Sequence, residues 1–172
     1  DMLMKILGIT LIILSSGLCG INYVSGRKER IDELRSFIYM LELIKAELST
    51  NLSPLPVIAN KVSENIDGKA ADFSKLLLLN LSVLGEKGFE SIWAESFRAC
   101  ETSFSDGEEQ AVIKLGSVLG KYEIEYQTKA IEDCILVLRK REESCSAAYP
   151  QTKRLSLGLS VSTGVLLAII LV

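Results

Sequence analysis

The 172-residue chain contains no histidine. Every Ser-His-Asp arrangement, every HExxH zinc site and every histidine general base is therefore excluded. Among its 4 cysteines no pair has CxxC spacing, so a zinc site would need scattered thiolates completed by a carboxylate. No metal and no cofactor is expected. Basic residues are not in excess either, with 19 Lys and Arg against 22 Asp and Glu. A net charge of −3 argues against a nucleic-acid partner, whose usual footprint is a basic face. The Gly-containing stretch Leu115-Gly116-Ser117-Val118-Leu119-Gly120 lacks the lysine and the preceding strand that a phosphate loop requires. Carboxylates are plentiful, but Glu108 and Glu109, Glu123 and Glu125, Glu132 and Asp133, and Glu142 and Glu143 fall on single helices and do not converge in a cleft. No enzyme is expected.

What is present is unevenly distributed. Apolar residues make up 48% of the chain and mean hydropathy is +0.30, but no charged residue falls within residues 6–24 or 155–172. At 1.5 Å per residue these windows reach ~27–29 Å as helices, close to the hydrocarbon thickness of a bilayer. Gly8, Gly17 and Gly20 in the first, and Gly158 and Gly164 in the second, are small residues of the kind that let helices approach closely in lipid. The first window carries only Lys5 ahead of it and is longer than the apolar core of a secretory signal, so a retained anchor is expected. Arg27, Lys28, Arg30 and Arg35 follow the first window, and Arg139, Lys140, Arg141, Lys153 and Arg154 precede the second. Only Lys5 lies on the other side, so the segment between the windows is expected in the cytoplasm. The organisation is then an N-terminal transmembrane helix over residues 3–25, a cytoplasmic helical domain over 27–150 and a C-terminal transmembrane helix over 154–172.

The middle has no run of alternating β-branched residues and no hairpin turn set between strands. Its apolar spacing is helical. Ile31, Leu34, Ile38, Leu41 and Leu48 form one stripe, widened by Phe37 and Ile44. Ser53 followed by Pro54 predicts an N-cap with proline at the first helical position, opening a short helix that carries Leu55, Ile58, Ala59, Val62 and Ile66. A third helix is predicted over residues 70–84, with Phe73, Leu76, Leu77, Leu81 and Leu84 inward and Gly85 as its stop. A fourth runs over residues 89–100 with Ile92, Trp93 and Phe97 inward, and a fifth begins at Ser105 or Asp106. Its glycine Gly116 can admit another helix backbone, and Gly120 breaks the chain. The sixth and longest keeps Ile124, Ile131, Ile135, Leu138, Cys145 and Tyr149 on one seam and reaches Pro150, where a kink or break is expected. Cys134 and Cys145 read as buried apolar thiols. The fold class is all-α, a compact bundle of about six helices flanked by two transmembrane helices.

Several short stretches, in order, carry a further signal. Met4-Lys5-Ile6-Leu7-Gly8 enters the first apolar window, and Glu29-Arg30 and Leu34-Arg35 follow it. A helix with Glu47 leads to Ser53-Pro54-Leu55, Trp93 stands before Ser96-Phe97, and residues 115–120 are followed by Glu123 and Gln127. In this order and spacing the chain resembles the stage III sporulation protein AB family of endospore-forming bacteria over nearly its whole length. Glu123 departs from the aspartate usual in that family.

The resemblance implies a fold similar to the cytoplasmic domain of the type II secretion platform protein, the F component. It implies a place in the mother-cell membrane that faces the forespore, among eight proteins encoded together that build a channel complex. A secretion-type ATPase and the other membrane subunits are the implied partners, alongside the lipid bilayer. On this reading the chain is a non-enzymatic scaffold, with Arg35, Glu42, Glu47, Glu123 and Gln127 as docking residues and Pro54, Trp93, Gly116 and Gly120 as structural ones. The alternative is a membrane-anchored signalling or ligand-sensing module.

Overall fold

The computed structural model describes residues 2–50, 53–81 and 87–171, with side chains described for 25–50, 53–81, 87–150 and 162. Among the described residues there are six helices: α1 (Met2–Thr50), α2 (Leu55–Asn65), α3 (Lys69–Leu81), α4 (Phe89–Ala99), α5 (Asp106–Val118) and α6 (Ile124–Leu171). The chain divides into two units. One is Asp1–Ile31 with Ser144–Val172, and the other is Asp32–Glu143. In the first unit the side chains of 6–24, and nearly all of those of 155–172, lie outside the described residues. Among the described residues no helix is long and apolar enough to cross a membrane.

The second unit has its core where the helical spacing of the sequence puts it. On α1, Leu34, Phe37, Ile38, Met40, Leu41, Ile44 and Leu48 are buried, a stripe repeating at three and four residues. Facing it are Ile58, Ala59 and Val62 of α2, Ala70, Ala71, Phe73, Ser74 and Leu77 of α3, and Ile92, Trp93 and Phe97 of α4. All 5 phenylalanines and the single tryptophan belong to one network of ring contacts. Phe73 and Trp93 meet edge-on at 4.8 Å, and Phe37 meets Phe104 at 5.0 Å. Edge-to-face pairs of this kind add ~0.5–1.5 kcal/mol beyond the burial of their area.

Several boundaries differ from the sequence reading, each for a local reason. Pro54 is the N-cap of α2 and is not its first helical residue: its carbonyl accepts from the N–H groups of Val57 and Ile58 at 2.9 and 3.1 Å. The Ser53 hydroxyl does not cap, because it donates to Glu47 at 3.2 Å. Helix α3 begins at Lys69 and is described to Leu81, while Leu84 and Gly85 lie outside the described residues. Leu76 and Leu81 are only partly buried, since Ala70 and Ser74 complete the inward face with Phe73 and Leu77. Ile124 is 38% exposed and off the seam that Ile131, Cys134, Ile135 and Leu138 make on α6. Cys145 and Tyr149 are half-buried. Pro150 lies inside α6 without ending it. A proline deletes one N–H donor, and here the neighbouring residues hold the helical path.

Candidate functional site

Sequence and resemblance singled out five polar residues, and four of them are engaged within the Asp32–Glu143 unit. Arg35 donates through Nε to Glu142 at 2.8 Å and approaches the same carboxylate through a second nitrogen at 2.7 Å. Glu42 receives Arg139. One turn further along α1, Lys45 reaches Glu132 at 3.2 Å. As the α1 number rises from 35 to 45 the α6 number falls from 142 to 132, so these pairs form an antiparallel ladder fastening the two helices. Glu47 takes a different partner, accepting Lys61 of α2 at 2.9 and 3.0 Å through its two oxygens.

Gln127 is buried at 6% exposure, which nothing in its polar character announces. Its Oε1 accepts the Gly120 N–H at 3.0 Å, and its Nε2 donates to the Tyr122 carbonyl. One amide side chain thereby closes the turn between α5 and α6. Gly120 sits at φ +76°, where a side chain would be strained. Glu123 is exposed, and its carbonyl opens α6 by accepting from Tyr126 and Gln127 at 3.0 and 3.1 Å. Its carboxylate has no ion-pair partner among the described residues.

Gly116 and Trp93 form one joint. A Cβ built at Gly116 would lie 2.8 Å from Cβ, Cγ and Cδ1 of Trp93, so only glycine lets the indole seat against α5. The indole N–H then donates to the Val112 carbonyl at 2.8 Å, which satisfies the one polar atom of a 1% exposed side chain. The close approach that glycine suggested is to α4, inside the core.

Two buried carboxylates escaped sequence reasoning. Glu108, at 3% exposure, accepts the Ser105 N–H at 2.7 Å and the Arg141 guanidinium at 2.6 Å. Its reach back to the N-cap was legible as Ser105-x-x-Glu108, the capping-box spacing. Glu33 accepts both the backbone N–H and the hydroxyl of Ser103, tying α1 to the loop before α5. Those partners are 70 residues apart and no local pattern announces them.

Burial raises the Cys134 thiol from 9.0 to about 12, and burial followed by the Asp72 carboxylate raises Cys100 to about 11. Both thiols therefore stay protonated and unreactive near neutral pH. Among the described residues no group of three or more Cys, Asp or Glu side chains is placed to hold a metal ion.

The sequence of the chain matches stage III sporulation protein AB over residues 5–172. The chain belongs to that family. A solved structure titled stage III sporulation protein AB superposes with a TM-score of 0.64 at 18% identity, covering 71% of this chain and 97% of that one. At that identity the likeness shows the fold, and it shows it as all-α. No curated protein matches the chain. Family membership makes the chain a sporulation-complex subunit.

Proposed function

We propose that the chain is a non-enzymatic membrane platform of a sporulation channel complex. Residues 6–24 and 155–172 anchor it as two transmembrane helices in the mother-cell membrane facing the forespore, and the helical unit between them lies in the mother-cell cytoplasm. That unit docks the secretion-type ATPase of the same complex, and the spans gather the other membrane subunits. Neither nucleic acid nor a cofactor enters this role.

The observation that supports the reading most is the use of charge. Arg35, Glu42, Lys45, Glu108, Glu132, Arg139, Arg141 and Glu142 are turned toward one another between helices. The three pairs between α1 and α6 are largely exposed and individually contribute ~0–1 kcal/mol, but together they fix the register of those two helices, and the buried Glu108 carboxylate ties α5 to α6 through Arg141. A fixed register is what a part needs when it must present one face to a motor. Arg35, Glu42, Glu47 and Gln127 accordingly serve docking at one remove, by holding the platform, and Glu123 is the one of the five whose exposed side chain makes no ion pair or hydrogen bond among the described residues.

Immobilised full-length chain in detergent should retain the secretion-type ATPase of the complex from solution. Loss of that ATPase to the flow-through, from a chain whose Trp93 fluorescence reports a buried indole, would overturn the platform reading.

A further inference from the structure

Helices α5 and α6 leave an open groove between them with a volume of about 360 Å³. Ala111, Leu115 and Val118 form one wall at helical spacing, and Tyr126, Ala130, Cys134 and Val137 form the other. Tyr126 and Val137 remain 57% and 44% exposed, and Leu136 beside them is 68% exposed. Three charged residues, Lys114 on α5 with Lys129 and Asp133 on α6, stand on the rim. Arg35, Lys45, Lys61, Lys121, Arg139 and Arg141 each rest on a carboxylate. Lys114 and Lys129 have no ion-pair partner among the described residues. Lys129 leaves even Glu125, which stands in the favourable i,i+4 position, without an ion pair to it.

We infer that this groove receives an amphipathic helix of the docked ATPase, with apolar anchors at i, i+3 or i+4, and i+7, and carboxylates meeting Lys114 and Lys129. The inference rests on the platform reading and names the surface that reading leaves open. Two apolar walls with helical periodicity fit the ridge of a third helix. Polar groups converging within the cavity, which would orient a small ligand, are replaced here by charges on the rim. The sign of those charges selects the partner: two lysines without an ion pair among the described residues steer an acidic flank, and Asp133, with exposed Glu123 nearby in sequence, favours a basic or neutral end on the same helix.

The test uses full-length chain in detergent and measures ATPase retention for three forms: wild type, the double variant Lys114→Glu with Lys129→Glu, and Val137→Asp. Each altered residue is wholly or partly exposed, and thermal melts identical to wild type would show an intact fold. Retention should fall at least tenfold in both variants and survive Lys114→Arg with Lys129→Arg. Undiminished retention in the charge-reversed and Val137→Asp forms would overturn the groove and leave the platform reading standing. If wild type itself retains no ATPase, the platform reading fails, and a photo-crosslinker at position 137 in sporulating cells decides the groove. Adducts to an acidic amphipathic helix of the ATPase uphold the groove, whereas adducts to any other subunit, to a second copy of this chain, to lipid, or to nothing refute it.

Discussion

The aromatic joint between α4 and α5 and the charged ladder between α1 and α6 hold the same unit together by opposite means. At the joint, Trp93 is 1% exposed, its rings and its N–H are all in contact, and Gly116 leaves no room for one added carbon. On the ladder, the side chains of Arg35, Arg139 and Glu132 are 59%, 56% and 59% exposed. The first arrangement is strong and intolerant because close packing has no slack. The second is weak in each rung and specifies only alignment, since water and salt compete for every pair. Stability thus concentrates in the aromatic joint, and helix register in the ladder.

The sharpest way to break this contrast is at the joint. Trp93→Ala should lower unfolding free energy by about 3–5 kcal/mol, measured by urea titration of the full chain in detergent. Gly116→Ala should cost about 1–3 kcal/mol through the clash with the indole. The two together should cost less than their sum, because the clash disappears with the indole. Additive costs would mean that Gly116 meets something else.

Glu108→Ala tests the case between the two extremes. Its carboxylate is buried, but the Arg141 side chain that meets it is 49% exposed. Removal strands the Ser105 N–H and should cost about 1–3 kcal/mol, as read from the denaturation midpoint. The buried Cys134 thiol adds a pH signature. Its folded value of about 12 lies above the ordinary 9.0, so the stability it allows is complete below pH 9. As pH rises from 9 toward 12 the unfolded chain deprotonates first, and that stability is lost. Cys134→Ala should flatten the decline seen in melts above pH 9, and an unchanged decline would assign it to other groups.

The smallest effects belong to the ladder. Glu42→Ala or Arg139→Ala should each cost under about 1 kcal/mol, and the difference from wild type should shrink as salt is raised. A salt-independent loss of several kcal/mol from either change would erase the distinction between the two regions.

The same division governs how much the sequence disclosed. Periodicity located Leu34, Phe37, Leu41, Ile92, Trp93, Phe97 and Ile131 in the core, because burial of a helix face leaves a local trace every three or four residues. Trp93, Gly116 and Gly120 were expected to be structural and Gln127 to dock a partner, and the structure puts Trp93 against Gly116 and Gln127 on Gly120. Partners distant in the chain left no such trace. Arg35 meets Glu142 across 107 residues and Glu33 meets Ser103 across 70, and no local pattern shows that these side chains join distant elements. Phe104 was missed for another reason: it lies in the loop before α5, where no period can flag it, although it touches Phe37 and Phe97. The groove was equally hidden, because its walls come from two helices whose apolar stripes look separate in sequence.

The ladder holds the platform, and the α5–α6 groove meets the motor. ATPase retention by full-length chain should therefore be compared between the ladder variant Glu42→Ala with Arg139→Ala and the groove variant Lys114→Glu with Lys129→Glu. Retention near wild type is expected for the first, because the Arg35–Glu142 and Lys45–Glu132 pairs still hold α1 against α6, and at least a tenfold loss is expected for the second. Loss for the ladder variant with full retention for the groove variant, both folded, would contradict this account.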